Sequence, residues 1–334
     1  MTAFLPKNVH RVTSINIQEL TKLNQTSRST ETELLLAEAR LQFAKDATER
    51  SPIEAWTARS TSPFVVPSTE IPEITRQELS VENIAGGVHH HGAVIVRNLF
   101  SSALAQQYRE QIDSVFEEQA LFDREPEADR QWFNPPAGLT GHPLCQAVHL
   151  RKQTGSMWAL NSPRVVYNLL EEYERLGLKE LCEHYFGEPA LLSVKKWVLR
   201  RIEPLTRAAD WHQDGAFMGS GVKSLNLWVS LSECGGNATA PGLDIMPGRF
   251  NSIVETGTEG ASFTWSVGEK AASDAANNQM PLTPTFNPGD AVFFDHFNLH
   301  RTSFSPSFID TRYAIECWFL GESEYPEKQV PLLW

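Results

Sequence analysis

The chain of 334 residues is long enough for one large domain or two small ones, and 41% hydrophobic residues, including 18 Phe and 9 Trp, can fill a sizeable core. A formal net charge of -12 weighs against nucleic acid or an anionic membrane as the main partner, and no apolar run reaches the roughly 18 to 20 residues of a membrane span. Four widely spaced cysteines (Cys145, Cys182, Cys234, Cys317) show no CxxC and read as reduced thiols; with no basic, apolar leader after Met1, a cytoplasmic protein is expected.

Residues 1–70 read as a helical N-terminal extension and linker. Thr30 and Glu33 have the spacing of a capping box, and Leu34, Ala37, Leu41 and Ala44 recur at helical intervals, predicting a helix to about Arg50. Ser51-Pro52 ends it, and the Ser/Thr/Pro-rich run to Thr69 is a linker. Residues 71–334 form the main domain. A buried strand over 92–97 leads through Ser101 or Ser102 into a helix with Leu104, Tyr108, Ile112 and Val115 on one face. His89, His90 and His91 precede that strand. Neighbours on a strand point to opposite faces, so a structural role is expected rather than chelation of one ion.

Residues 121–153 read as a long loop. Ser162-Pro163 opens a helix that runs to Gly177, and a shorter one over 178–186 closes at Gly187. Strands and turns follow Pro189. Residues 191–202 read as one strand, and 211–214 end another. The stretch 224–231 alternates, with Leu225, Leu227, Val229 and Leu231 on one face and Ser224, Asn226, Trp228 and Ser230 on the other. One greasy face implies a sheet covered by the preceding helices, and a polar face carrying a Trp suits a cavity wall. Further strands are expected over 243–248, 291–294 and 312–320. The order predicts a mainly β, α+β fold: a double-stranded β-helix (jelly-roll, cupin-like) barrel with helices packed on its outer sheet.

In an extended strand His212 and Asp214 project to the same side, while Gln213 points away. With His300 from a later strand they make the two-histidine, one-carboxylate face that binds Fe(II) and leaves positions for a bidentate co-substrate and O2. A dicarboxylate such as 2-oxoglutarate needs a distant cation. Arg312 supplies the matching fork of N–H donors, and Thr302 a hydroxyl. Arg312, Ala314, Glu316 and Trp318 share one strand face; a structural salt bridge to Glu316 is the alternative for Arg312, and Arg301 the alternative cation. His296 is a further candidate near the metal. Lys196, Trp197 and Arg200 either reach the co-substrate's other carboxylate or the substrate, or are a packed Trp and solvated bases. Substrate contacts are sought at Phe217 and Met218, then at Trp158 and Asn161, then at Arg249 and Asn251.

From about residue 86 to 320 the chain resembles the phytanoyl-CoA dioxygenase (PhyH-like) family of Fe(II)- and 2-oxoglutarate-dependent oxygenases. The likeness rests on Trp211-His212-Gln213-Asp214-Gly215, Leu227-Trp228-Val229-Ser230-Leu231, Met246-Pro247-Gly248, the run from Asn287 to Phe294, His300-x-Thr302 and Arg312. It departs at Gly248-Arg249-Phe250, where members often carry Gly-Ser-His. The resemblance implies His212, Asp214 and His300 as iron ligands, Arg312 and Thr302 on the 5-carboxylate of 2-oxoglutarate, and Trp228 beside that co-substrate. It implies a dioxygenase that uses Fe(II), 2-oxoglutarate and O2 to hydroxylate or otherwise oxidise a C–H bond of a small molecule, such as one of specialised metabolism, releasing succinate and CO2. Asp214 favours oxygenation over halogenation, since halogenating relatives carry a small residue there. A non-catalytic or 2-oxoglutarate-independent metal-binding jelly-roll protein is the alternative.

Overall fold

The computed structural model describes residues 14–44, 53, 61–140, 142–145, 154–204, 206 and 210–334. Two helices lead, α1 (Ser14–Thr26) and α2 (Thr30–Phe43). Ser29, not Thr30, caps α2, its hydroxyl accepting from the Thr32 N–H. Glu33 does not turn back as in a capping box, because its buried carboxylate takes Arg28 at 2.6 Å and Arg164 at 2.9 Å. Ala37 enters the main core. The expected helix end near Arg50 lies outside the described residues.

Next come β1 (Glu73–Thr75), α3 (Val81–His91) and β2 (Ala93–Arg97). The three histidines that precede β2 form the last turn of α3. Gly92 caps that helix at φ 82°, where a Cβ would meet the Gly248 carbonyl oxygen at 2.6 Å. His89 stacks on Tyr185, while His91 bonds Ser62 Oγ and the Glu70 carbonyl. The helices α4 (Ser102–Arg124), α5 (Ala137–Thr140), α6 (Pro163–Arg175) and α7 (Leu178–Phe186) follow, with β3 (Ser156–Trp158) before α6. Ser101 and Ser162 cap α4 and α6, and Pro163 takes the first position of α6, where its missing N–H costs nothing.

The strand expected over 191–202 is two, β4 (Ala190–Ser193) and β5 (Val198–Ile202), split by a tight turn at Val194–Lys196. After it come α8 (Gly215–Met218), β6 (Ser224–Ser230), β7 (Leu243–Ile245), α9 (Glu269–Ala275), β8 (Ala291–Phe294), β9 (His300–Thr302), β10 (Arg312–Gly321) and β11 (Pro331–Leu332). The large sheet runs β1-β2-β8-β6-β10-β4-β11, with β5 also on β10 and β3 on β5. β10 is its spine: β6 pairs along one edge, while β5 and β4 share the other. β7 and β9 form a small second sheet, continued by the isolated bridge His212↔His300.

These two sheets face one another across a cavity without joining, so the molecule is mixed α/β with a large sheet and the expected jelly-roll barrel is not closed. Irregular backbone stands where further strands would complete the second wall. Asp214, for instance, already has helical angles (φ -63°, ψ -23°) at the start of α8.

The alternation in β6 and β10 divides two cores. Leu225, Leu227, Val229, Ile315, Cys317 and Phe319 pack against Val88, Ile112, Val166 and Leu169 of the helices. Trp228, Val292, Phe294, Ala314 and Trp318 pack on the inner side. Each fully buried side chain of this size contributes about 1.5–3 kcal/mol. All four cysteines are buried and unbridged. Among the described residues no helix is long and apolar enough to cross a membrane.

Candidate metal and co-substrate site

A cavity of about 600 Å³ lies between the sheets. Its floor follows from strand register. Arg312 and Glu316 share a face of β10; Glu316 lies opposite Trp228 of β6 and Val198 of β5, and Trp228 opposite Val292 of β8. Arg312 is 1% exposed. Its Nη1 donates to the Gly242 carbonyl at 3.0 Å and its Nη2 to the Thr302 hydroxyl at 3.4 Å, while Nε finds no acceptor. Burial lowers its pKa to about 10, and the guanidinium stays charged. Trp228 lies beneath it, ring centroid 5.7 Å from the guanidinium carbon.

The alternative partner for Arg312 is already engaged. Glu316 accepts from Arg200 through both Nε, at 2.9 Å, and Nη2, and lies 3.6 Å from the Lys196 ammonium. Burial pushes its carboxyl up, but Arg200 and Lys196 more than offset this and hold it well below the usual range. Arg301 turns elsewhere, to Asp244 at 2.9 Å and Glu269 at 2.6 Å.

His212 and His300 exchange two backbone hydrogen bonds of 3.0 Å, and their ring centroids stand 4.4 Å apart. Each ring donates Nδ1–H to a carbonyl, His212 to Asp210 at 2.9 Å and His300 to Asn298 at 3.1 Å. That donation fixes the tautomer whose lone pair sits on Nε2, the form a metal requires. Burial lowers both pKa values, that of His300 to about 4, so both imidazoles are neutral at pH 7. Gln213 pins the intervening segment: its Nε2 donates to the Ser252 and Phe297 carbonyls and its Oε1 accepts from the Val254 N–H.

Asp214 comes near but not into line. It is 2% exposed, does not line the cavity, and its Oδ1 accepts from Lys196 Nζ at 2.7 Å. Among the described residues no three His, Cys, Asp or Glu side chains stand together as a ready metal site. The same-side rule assumed extended backbone, which ends before Asp214. Lys196, aimed inward from the turn between β4 and β5, holds that carboxylate instead.

Thr302, Trp228 and Phe217 line the cavity with the histidines and Arg312. The other expected substrate contacts do not. Met218 packs in the inner core and Trp158 in the helix-side core. Asn161 is buried, its carbonyl accepting from the Asn134 N–H, and Arg249 pairs with Asp295 at 2.6 Å. Asn251 is exposed. His296 bonds Ser224 Oγ and the Ser220 carbonyl, and Trp197 lies in the core. Sequence reasoning missed Phe263 and Trp265, which also line the cavity. Their signal is two aromatics at i and i+2 inside a Gly/Ser/Thr-rich stretch with no periodic pattern to bury them.

No family model and no curated protein matches the chain. Similar solved structures include the non-heme alpha ketoglutarate dependent carbocyclase SnoK from nogalamycin biosynthesis, at 13% identity over 75% of this chain and 87% of that one, TM-score 0.47. Another is EctD from S. alaskensis with 2-oxoglutarate and 5-hydroxyectoine, at 15% identity over 84% of this chain and 89% of that one, TM-score 0.49. Likeness of this degree lends no weight to a shared reaction or ligand. The phytanoyl-CoA dioxygenase resemblance accordingly stays a likeness of motifs.

Proposed function

We propose that the chain is an Fe(II)/2-oxoglutarate-dependent dioxygenase that hydroxylates or otherwise oxidises a C–H bond of a small molecule. The observation that carries this reading is the buried guanidinium of Arg312, charged, with Nε unpaired, on the wall of the cavity that holds two neutral imidazoles. A buried charge without a counter-ion costs several kcal/mol, and a carboxylate arriving in the cavity removes that cost. By chemistry the donor set suits Fe(II), two Nε2 lone pairs and one carboxylate, and it is complete once Asp214 leaves Lys196. His212, His300 and Asp214 would hold the metal, Arg312 and Thr302 the 5-carboxylate, with Trp228 beside it. When bound, iron and 2-oxoglutarate supply the oxidising power, with O2 consumed and succinate and CO2 released.

The chain's own residues prepare for this. The Asp210 and Asn298 carbonyls hold the imidazole tautomers, and Gln213 holds the segment between the candidate ligands. Trp228 and Phe294 exclude water from the floor. Lys196 has to release Asp214 before that carboxylate can serve, and Glu316 at 3.6 Å is the next anion within its reach.

Anaerobic Fe(II) and 2-oxoglutarate should give the folded protein a weak visible charge-transfer band, lost in His212→Ala. A folded wild-type chain that gives none overturns the reading. Of the alternatives, the Lys196–Asp214 pair favours a non-catalytic binding protein in which the lysine keeps Asp214 to itself. Equilibrium dialysis with Co(II) separates the two, because this second reading expects no ion bound at His212 and His300.

A further inference from the structure

Phe263 and Trp265 belong to none of the hydrophobic clusters, although aromatic side chains of this size are normally buried in one. Phe263 is 49% exposed. Its ring lies flat on Trp265, centroids 4.9 Å apart and planes at 8°. Trp265 in turn meets Phe217 and the candidate ligand His212 in edge contacts of 5.7 and 5.5 Å. All four line the cavity, so one wall presents aromatic faces and edges outward from the metal site.

This lip is also held in place. The Asp210 carboxylate accepts from the Ser262 N–H, from Ser262 Oγ at 3.2 Å and from Ser266 Oγ at 3.3 Å. Val267 donates to the Trp211 carbonyl at 2.7 Å. Asp210 thus tethers the lip with its side chain and orients His212 with its carbonyl. A fixed, solvent-facing aromatic wall gives contact area at little entropic cost on binding.

We propose that the lip built from Phe263 and Trp265, with Phe217, recognises a planar, aromatic or conjugated part of the substrate. Ring faces and edges at these spacings are the two arrangements in which a further ring packs, and they favour a flat ligand over a flexible chain, which loses rotamer freedom. This assignment rests on the dioxygenase reading for what happens to the substrate, but the binding it asserts is measurable separately.

The test titrates 2-naphthoate and undecanoate, equal in charge and carbon number, calorimetrically into the chain loaded anaerobically with Fe(II) and 2-oxoglutarate. The visible band records loading in the same sample. Naphthoate should bind at least tenfold tighter than undecanoate. Trp265→Ala should weaken it about tenfold and Phe263→Ala about threefold, with Trp265→Phe recovering most of the loss. Phe263 touches no candidate ligand, so its variant answers for any disturbance of His212 in the other. Binding of neither probe, equal binding of both, or naphthoate affinity unchanged in both alanine variants overturns the proposal. If the band never appears, the dioxygenase reading fails by itself, and the same titration of the metal-free chain decides whether the lip selects planar ligands.

Discussion

Arg312 brings a positive charge into a site that offers it one carbonyl and one distant hydroxyl. Two consequences of opposite sign follow. Arg312→Met should leave the melting temperature of the metal-free chain unchanged or raised, because it removes an uncompensated buried charge. The same variant should weaken 2-oxoglutarate about 100-fold in anaerobic titrations of the visible band, the loss expected for a charge-assisted fork. Lys196→Met is the mirror case. Asp214 then lies buried without its cation, so the metal-free chain should lose about 3 kcal/mol in denaturant melts while binding Co(II) more tightly in dialysis. Glu316 sets a pH dependence. Its pKa is depressed in the fold, so its contribution is fully present above the ordinary carboxylate range near pH 4.5 and is lost as pH falls below it. Melts of wild type and Glu316→Gln should therefore differ at neutral pH and converge in acid. That His212, His300, Arg312, Thr302 and Trp228 gather around one cavity was legible in the sequence, because strand parity and residue chemistry agree for them; their roles stay a proposal. The posture of Asp214 was not legible, since its helical angles open the short α8 that directly follows it, and its lysine partner comes from the turn between β4 and β5.

Alternating strands are the most legible elements. Every second residue of β6 and β10 falls in the expected layer, because a strand with one face under helices has no other register that keeps leucines dry. Short turns were not legible. The break at Val194–Lys196 arises because β4 and β5 share one edge of β10, and it aims Lys196 at Asp214. α3 was not legible either: the run of three histidines gives no periodic signal for a helix that stops only where Gly92 supplies a left-handed residue. Gly92→Ala should cost about 2 kcal/mol or more, from the strained φ and the approach of its Cβ to the Gly248 carbonyl. Hydrogen exchange should show protection lost together at the end of α3 and in the Met246-Pro247-Gly248 turn.

At the scale of the whole molecule, closure of the barrel was beyond the sequence, because irregular segments between short strands carry no periodicity to register. The division near residue 70 into an extension and a main domain remains a proposal. Leu36, Ala37 and Ala39 of α2 are buried, and Arg40 donates to the Leu333 carbonyl at 3.2 Å, yet no residue of α1 or α2 lines the cavity. Deleting residues 1–60 should lower the melting temperature by about 5 °C or more while leaving the visible band in place. Another molecular property follows from the cysteines. Burial pushes Cys182 and Cys317 far up and Cys234 to about 11, so these thiols stay protonated and out of reach of solvent. Oxidants and alkylating agents attack thiolates rather than thiols. The buried, protonated thiols offer no thiolate, so iodoacetamide should label them only as fast as the native fold opens, and the alkylation rate becomes a clock for unfolding.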